Sequence, residues 1–275
     1  MTNVLVTGAD GFIGSYVCKV LEADPDYNVT KITSAVDLRD QASAVQISND
    51  CNYDVVVHLA ANVGVLKWTS LGDKMLADNV LIDANVAYAI RSMPSTPRVI
   101  YASTSEIYQD ENQVEDAKIS IPLTNDMRSG YALEKALGEK LFGDINLRIF
   151  NVVGPGQDDH FSLPMMISDA RKGVIKASRD TRSFCSVHDA ARWIKSIVDN
   201  ITDVSPGVYN IGNPDNETTM LNVAKLINNL TGGTSRIEIV DDGYSRYRKP
   251  DITKASKYFK PEISLDEILA ELIHN

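Results

Sequence analysis

The sequence predicts an α/β fold built on a doubly wound parallel sheet, and three observations carry that expectation. Strand-like and helix-like segments alternate through the first half of the chain, the pattern of successive βα units. The opening run Val4-Leu5-Val6 is short and wholly apolar, as in a buried strand. It passes directly into the glycine-rich stretch Thr7-Gly8-Ala9-Asp10-Gly11-Phe12-Ile13-Gly14, and a helical pattern follows.

Residues 13–22 carry Ile13, Val17, Val20 and Leu21 at helical spacing. Val29 to Ile32 reads as a second strand, and residues 40–48 as a short helix. Asp54-Val55-Val56-Val57-His58 is a strongly β-branched strand. Residues 76–92 are helical in pattern through Val80, Ala84, Ala87 and Ile90. Arg98 to Tyr101 is a further strand, and Leu133, Leu137 and Leu141 form an i,i+4 stripe in a helix over 131–142. Leu147 to Phe150 closes the first half as a strand. Gly154, Pro155, Gly156 and Pro164 mark a loop leaving the sheet. Beyond it come helices near 164–172, 188–200 and 217–230, a strand at 208–211 and a terminal helix over 264–273. No internal repeat or low-complexity linker separates the halves, so a small second lobe interleaved with the first is expected.

The 275 residues, 44% apolar and 23% charged, suit one large α/β unit or two closely joined lobes with a sizeable core. No apolar run approaches the ~20 residues of a membrane helix. The start shows no basic region or cleavage-like site, so a cytoplasmic protein is expected. A net charge of -10 makes nonspecific binding to nucleic acid or an anionic membrane a poor prospect. It leaves room for a small anionic substrate held by local basic residues. Cys18, Cys51 and Cys185 are odd in number and far apart. They give neither a disulfide framework nor metal-ligand spacing, and read as reduced thiols; no metal is expected.

In the glycine-rich stretch, glycines at 8, 11 and 14 permit a tight turn, close approach of backbone to a pyrophosphate, and close helix–strand packing. The helix that follows offers free N–H groups to phosphate oxygens. The spacing Gly-x-x-Gly-x-x-Gly resembles the extended, nucleotide-sugar branch of the short-chain dehydrogenase/reductase superfamily, the NAD-dependent epimerase/dehydratase family. Further matches follow in order: Asp37-Leu38, His58-Leu59-Ala60-Ala61, Ser103-Thr104-Ser105-Glu106-Ile107-Tyr108, Tyr131-Ala132-Leu133-Glu134-Lys135 and Arg148-Ile149-Phe150-Asn151. Gly154-Pro155-Gly156-Gln157, Tyr209-Asn210-Ile211-Gly212 and Lys249-Pro250-Asp251 complete a set that spans nearly the whole chain.

The resemblance implies a Rossmann-type sheet, with residues 1–153 binding NAD(P). Residues 154–275 would mainly form the substrate lobe, and segments near 185–212 would return to the first domain. Gly8, Gly11, Phe12, Ile13, Gly14, Asp37, Leu38, Leu59, Ala60 and Ala61 would contact the cofactor, together with Tyr131 and Lys135. Members that prefer NAD usually carry an acidic residue at the end of the second strand. Here that place reads Thr33-Ser34-Ala35, and no Arg stands there for a 2′-phosphate either. NAD is slightly favoured over NADP.

Tyr131 and Lys135, four apart on a helix, share one face. A phenol of ordinary pKa near ~10 is a poor base at neutral pH, and a neighbouring ammonium and an oxidised nicotinamide both lower it. The resemblance makes Thr104, Tyr131 and Lys135 the catalytic triad, with Tyr131 taking a proton from a sugar hydroxyl while hydride leaves for the cofactor. The string ending in Glu106 resembles UDP-glucuronate decarboxylases and GDP-mannose 4,6-dehydratases, in which a C4 ketone makes the next bond labile. Glu106 would be the acid or base of that second step. Ser105, Asn151, Arg182 and Arg248 match substrate-binding positions, the arginines gripping a diphosphate of about two negative charges. The segment Ala60-Ala61-Asn62-Val63-Gly64 also resembles GDP-fucose synthases and GDP-mannose 3,5-epimerases, with His160 as a second acid–base candidate or a surface residue. Decarboxylase and 4,6-dehydratase therefore rank first, ahead of 4-epimerase and of 3,5-epimerase/reductase. A non-catalytic nucleotide-binding protein is the remote alternative, disfavoured by the intact triad. An oxidoreductase of steroids or flavonols is disfavoured by the paired arginines. A homodimer through two helices, one of them 131–142, is a further implication of the resemblance.

Overall fold

A computed structural model describes residues 1–49, 52–64, 70–108, 113–115, 121, 127–240 and 246–274. The first half runs β1 (Thr2–Thr7), α1 (Phe12–Glu22), β2 (Tyr27–Ile32), α2 (Gln41–Asn49), β3 (Val55–His58) and α3 (Asp73–Arg91). It continues through β4 (Arg98–Thr104), α4 (Met127–Phe142) and β5 (Ile145–Ile149). The second half holds β6 (Val152–Val153), α5 (Ser162–Arg171), β7 (Val174–Ala177), β8 (Thr181–Ser183), β9 (Cys185–Ser186) and α6 (Val187–Asp199). Then come β10 (Gly207–Ile211), β11 (Glu217–Thr219), α7 (Met220–Leu230), β12 (Arg236–Ile239), β13 (Tyr247–Arg248) and α8 (Leu265–His274).

The main sheet has six strands in the order β10-β5-β4-β3-β1-β2. Every neighbouring pair in it is parallel. Val4, Val6, Val55, Val57, Ile100, Ile145 and Leu147 from its strands join one apolar cluster with α1 and α6. Leu5, Val56 and Val99, alternating with them, face a second cluster under α2 and α3 with Ile82, Val86 and Ile90. Helices thus cover both faces, which is why Val4–Val6 of β1 and Val55–Val57 of β3 are unbroken apolar runs. The chain leaves β1 toward β2 and then returns to place β3 on the other side of β1. This reversal opens a crevice at the carboxyl ends of β1 and β3, the place where doubly wound sheets bind ligands.

Helix α6 is built for its place. Ser186 caps it, its hydroxyl accepting from the His188 amide at 3.2 Å. Val187, Ala190, Ala191, Trp193, Ile194, Ile197 and Val198 are buried in the α1 cluster. Each large apolar side chain there contributes about 1.5–3 kcal/mol relative to exposure. Strand β10 adds to the main sheet beside β5, and β9 pairs with β6, so residues 185–211 lie against the first half of the chain. A separate cluster of Leu163, Met166, Ile167, Phe184, Val223, Ile227, Ile268 and Leu269 lies under two small sheets, β11-β8-β13 and β12-β7.

Four details depart from the sequence expectations. Residues 217–219 form β11, so the helix predicted over 217–230 begins at Met220; the β-branched Thr218-Thr219 pair with β8 instead. Helix α4 begins at Met127, four residues earlier than expected, which brings Arg128 into it. The buried face of α3 is not the Val80-Ala84 face: Val80 and Ala84 are exposed, while Asn79 and Asp83 are buried beside Ile82, Val86 and Ile90. Likewise Leu133 and Leu137 of the predicted stripe are exposed.

Candidate active site

Sequence places the glycine-rich stretch at the turn from β1 to α1, on the edge of the crevice. Gly8 has φ +67°, a left-handed conformation that favours glycine, and a Cβ there would come within 2.8 Å of the Ala60 amide nitrogen. A Cβ on Gly14 would lie 2.0 Å from the Gly8 carbonyl oxygen. Gly11, at the N-cap of α1, is extended, and its amide donates to the Gly8 carbonyl at 3.0 Å. The first turn of α1 has no side-chain cap and no acidic residue. Its amides are therefore left for an anion, and the missing Cβ atoms keep the cradle open, so these residues fit a dinucleotide pyrophosphate. Phe12 and Ile13 pack partly into the main cluster behind the turn. Leu59, Ala60 and Ala61 follow β3, all half-buried, on the other side of the crevice.

Asp37 and Leu38 sit differently from each other. Leu38 is buried in the α2–α3 cluster. Asp37 is exposed and receives Arg39 Nε and NH2, each at 2.8 Å, which holds its carboxyl down at about 2.

Strand β4 ends at Thr104, and α4 brings Tyr131 and Lys135 against that end. Tyr131 is hydrogen-bonded with Thr104, and the Glu106 amide donates to Thr104 Oγ1 at 3.2 Å. Ser105 is buried in the short turn Ser105–Tyr108. Burial pushes the Tyr131 phenol above its ordinary value, with Glu134 and Glu106 adding to the effect; Lys135 and Thr104 oppose it. In the protein alone, loss of hydration outweighs the ammonium. Lys135 is itself buried; burial acts to lower its pKa, but Tyr101, Tyr131, Asp83 and Glu134 together push it up, so it stays charged.

Around Lys135 lies a buried polar chain the sequence did not single out. Its ammonium is 3.4 Å from the Tyr101 hydroxyl and 4.9 Å from that ring's centroid. Tyr101 donates to Asp83 Oδ2 at 2.7 Å, and His58 Nε2 lies 3.0 Å from Asp83 Oδ1. With Nε2–H given to that carboxylate, Nδ1 accepts from the Thr7 hydroxyl at 2.6 Å. Thr7 also accepts from the Ala60 amide at 3.3 Å, so the chain ends at the glycine-rich turn. On its other flank, Glu134 Oε1 is 3.7 Å from Lys135, and Oε2 accepts from Asn79 at 2.9 Å. Burial raises the Glu134 carboxyl to about 7. Gly138 makes room for this cluster, since a Cβ there would lie 2.1 Å from the Tyr101 hydroxyl oxygen.

Next to Thr104 the structure gathers arginines. Strands β8 and β13 run parallel with Arg182 opposite Arg248. Arg182 NH2 is 2.8 Å and Arg246 NH1 3.3 Å from Asp180 Oδ2. Arg248 is buried with NH2 3.3 Å from Glu106 Oε2. Arg128, on the first turn of α4, is pushed down by burial and by Arg246, Arg248 and Arg182, with Glu106 opposing, so all four guanidiniums share one field. The sequence pointed to Arg182 and Arg248. Arg128 could have been found from its place one helical turn before Tyr131; Arg246 had no signal beyond nearness to Arg248.

Two candidates fall outside this group. The Asn151 side-chain amide donates to the Ser183 carbonyl at 3.1 Å, tying the end of β5 to β8. His160 is exposed and lies 3.6 Å from Asp158. Cys18 and Cys185 are buried free thiols, pushed up by burial, Cys18 to about 11; Cys51 lies outside the described residues.

Relatives carry the same overall design. The chain is 28% identical to a UDP-N-acetyl-alpha-D-glucosaminuronate decarboxylase of Bacillus cytotoxicus, over 98% of this chain and 96% of that protein. It is 28% identical to UDP-glucuronic acid decarboxylase 6 of Arabidopsis thaliana, over 96% and 86%. Its fold is similar to a UDP-glucuronic acid 4-epimerase of Bacillus cereus solved with UDP-glucuronic acid and NAD, with TM-score 0.84, 23% identity, and 99% and 98% of the two chains covered. The family model for the NAD dependent epimerase/dehydratase family matches residues 4–212, and the chain belongs to that family of extended short-chain dehydrogenases/reductases.

Proposed function

We propose that this NAD(P)-dependent enzyme acts on a nucleotide diphosphate-linked uronic acid, oxidising C4 transiently and releasing the C6 carboxylate as carbon dioxide. The observation that carries this is the Glu106–Arg248 pair beside Thr104 and Tyr131, set within four arginines. Four guanidiniums gathered in one field suit a diphosphate of about two negative charges. Two relatives named for uronate decarboxylation match nearly the whole chain and support the same substrate class.

The dinucleotide, held by the Gly8–Gly14 turn, Leu59, Ala60, Ala61, Tyr131 and Lys135, supplies a reversible hydride acceptor. Thr104 orients the O4 hydroxyl, and the Tyr131 oxygen takes its proton once the Lys135 ammonium and the positive charge of an oxidised nicotinamide together favour the phenolate over the effect of burial. Lys135 holds positive charge beside that oxygen. With C4 a ketone, the substrate is a β-keto acid: the C5–C6 bond breaks, its electrons pass into the enolate, and carbon dioxide leaves. Glu106, having taken up a proton from solvent, would give it to C5, with Arg248 holding the carboxylate that results; the hydride would then return to C4 and the Tyr131 proton to O4. Arg128, Arg182, Arg246 and Ser105 bind the substrate, with Asn151 bracing β8.

Residues 1–153 with the returning segment 185–212 serve the cofactor, and the remainder serves the substrate. Helices α3 and α4 pack side by side. They expose Val80, Leu81, Tyr88, Leu133 and Leu137, a surface suited to a second copy of the chain. Sedimentation velocity reads that homodimer. No described helix is long and apolar enough to cross a membrane, and free buried thiols suit a reducing cytoplasm.

Product analysis tests the reading. The unaltered enzyme with a UDP-linked uronate should release carbon dioxide and a nucleotide-linked pentose. Glu106→Gln should still oxidise C4, so that the 4-keto sugar and dihydronicotinamide absorbance build up. A ring epimer or a 4-keto-6-deoxy sugar as product, or a normal rate from Glu106→Gln, would replace the decarboxylase assignment.

A further inference from the structure

We propose that Asp10 sets the dinucleotide preference, its carboxylate at the end of β2 favouring NAD and disfavouring NADP. The inference rests on dinucleotide binding at the glycine-rich turn and goes beyond it by assigning the determinant. In a doubly wound sheet the adenosine ribose lies beside the first βα turn at the end of the second strand. There an acidic residue about 20 positions on bonds its 2′-hydroxyl, or an Arg nearby accommodates a 2′-phosphate. This chain has neither in Thr33-Ser34-Ala35.

The structure brings a carboxylate to the same place from the turn itself. Asp10 Oδ1 and Oδ2 each lie 3.0 Å from the Ser34 amide nitrogen, and Oδ2 also accepts from the Ser34 hydroxyl. One residue earlier, the Ala9 amide donates to the Ile32 carbonyl at 3.1 Å, which pins the turn to the strand end. Asp10 is exposed, so lone pairs that Ser34 leaves unused stay accessible to a ribose hydroxyl. The Ser34 hydroxyl and amide hold its carboxyl below the usual range, which keeps it ionised at neutral pH.

Among the described residues, the basic side chains Lys31, Arg39 and Lys74 are already paired with carboxylates. Arg39 is clamped by Asp37 and by Asp78, the latter at 3.1 Å. Lys74 lies 2.7 Å from Asp78, and Lys31 lies 2.7 Å from Glu22. A 2′-phosphate would bring about 1.5–2 further negative charges to this spot. At solvent-screened separations of a few ångströms, that repulsion amounts to roughly a tenfold loss of affinity. A ribose hydroxyl, in contrast, can donate to Asp10.

Calorimetric titration of the whole chain with NAD+ and with NADP+ tests the assignment without any sugar substrate. The unaltered protein should bind NAD+ at least about tenfold more tightly than NADP+. Asp10→Asn and Asp10→Ser should narrow that ratio by about tenfold, chiefly through tighter NADP+ binding. Ser34→Ala keeps the charge and the amide donor, and should hold the ratio within about threefold of the unaltered value. If the Asp10 variants do not fold, salt gives the second measurement: raising ionic strength should strengthen NADP+ binding relative to NAD+ in the unaltered protein. Equal affinities, a preference for NADP+, an unmoved ratio in folded Asp10 variants, or a ratio insensitive to salt would overturn the assignment. If neither dinucleotide binds the unaltered chain, the cofactor reading itself falls, which the titration separates from failure of the Asp10 inference alone.

Discussion

Asp83 is the buried carboxylate on which the polar chain around Lys135 turns, so its removal has a cost that can be worked out. Its side chain is 5% exposed, accepts from Tyr101 at 2.7 Å, and meets His58 Nε2 at 3.0 Å. Burial opposes its ionisation, but His58, Lys135 and Tyr101 together hold its carboxyl below the usual range. Asp83→Ala leaves a buried Tyr hydroxyl and a buried imidazole N–H without their acceptor, each costing about 1–3 kcal/mol. It also takes a counter-charge from Lys135, and breaking a buried pair costs about 3–5 kcal/mol. These losses overlap, so a net destabilisation of about 3–5 kcal/mol is expected, or roughly 6–20 °C in Tm for a chain of this size. Urea unfolding followed by near-ultraviolet circular dichroism measures it. The cycle with Tyr101→Phe should be non-additive by about 1 kcal/mol or more, since the two side chains share one hydrogen bond. An Asp83→Ala protein within about 1 kcal/mol of the unaltered one, or an additive cycle, would refute the view that this chain is a coupled unit.

Two further outcomes follow from the same geometry. Gly11 has φ -73°, which any residue adopts, and a Cβ there would sit 3.1 Å from the Gly8 carbonyl oxygen. Gly11→Val should therefore fold yet lose dinucleotide binding, which calorimetry reads; unchanged affinity in a folded variant would remove the turn from the cofactor site. Glu134, with its carboxyl raised to about 7, holds a proton in the folded state that it gives up on unfolding above its ordinary 4.5. By linkage its contribution is fully present below about 4.5 and is lost as pH rises through about 7. Glu134→Gln should accordingly gain stability relative to the unaltered protein between pH 5 and pH 8, by on the order of 2 kcal/mol. A difference that stays flat across this range would contradict the sign.

The parallel sheet was legible because each of its strands is a local statement. Val4 to Val6, Val55 to Val57 and Leu147 declare burial on both faces without reference to the rest of the chain. The small sheets were not legible, because β8, β11 and β13 are two or three residues long and show no period. Their pairing is what aligns Arg182 with Arg248 and draws in Arg246. In α3, apolar spacing marked a helix and placed Ala87 and Ile90 in the core, but Val80 and Ala84 are exposed, while Asn79 and Asp83 are buried there for their hydrogen bonds. Leu133 and Leu137 show the complementary limit: periodicity finds a stripe but does not say whether core, solvent or another copy lies beyond it. Tyr131, Lys135 and Thr104 were found through motif order, whereas Glu134, inside the same motif, passed unremarked because its burial depends on Asn79 from another helix. The burial that acts on Tyr131 was not legible for the same reason: desolvation is a property of the packed site.

We assign the Tyr131 phenolate oxygen as the proton acceptor for oxidation of a nucleotide-linked sugar. A single-turnover experiment tests it most directly: enzyme loaded with NAD+ is mixed with a UDP-linked uronate, and dihydronicotinamide absorbance is followed in the unaltered protein and in Tyr131→Phe. The phenyl ring keeps the packing and deletes only the hydroxyl. The account predicts that NAD+ affinity stays within about threefold while the rate of cofactor reduction falls by about a hundredfold or more. A Tyr131→Phe protein that reduces the cofactor at a near-normal rate would contradict it.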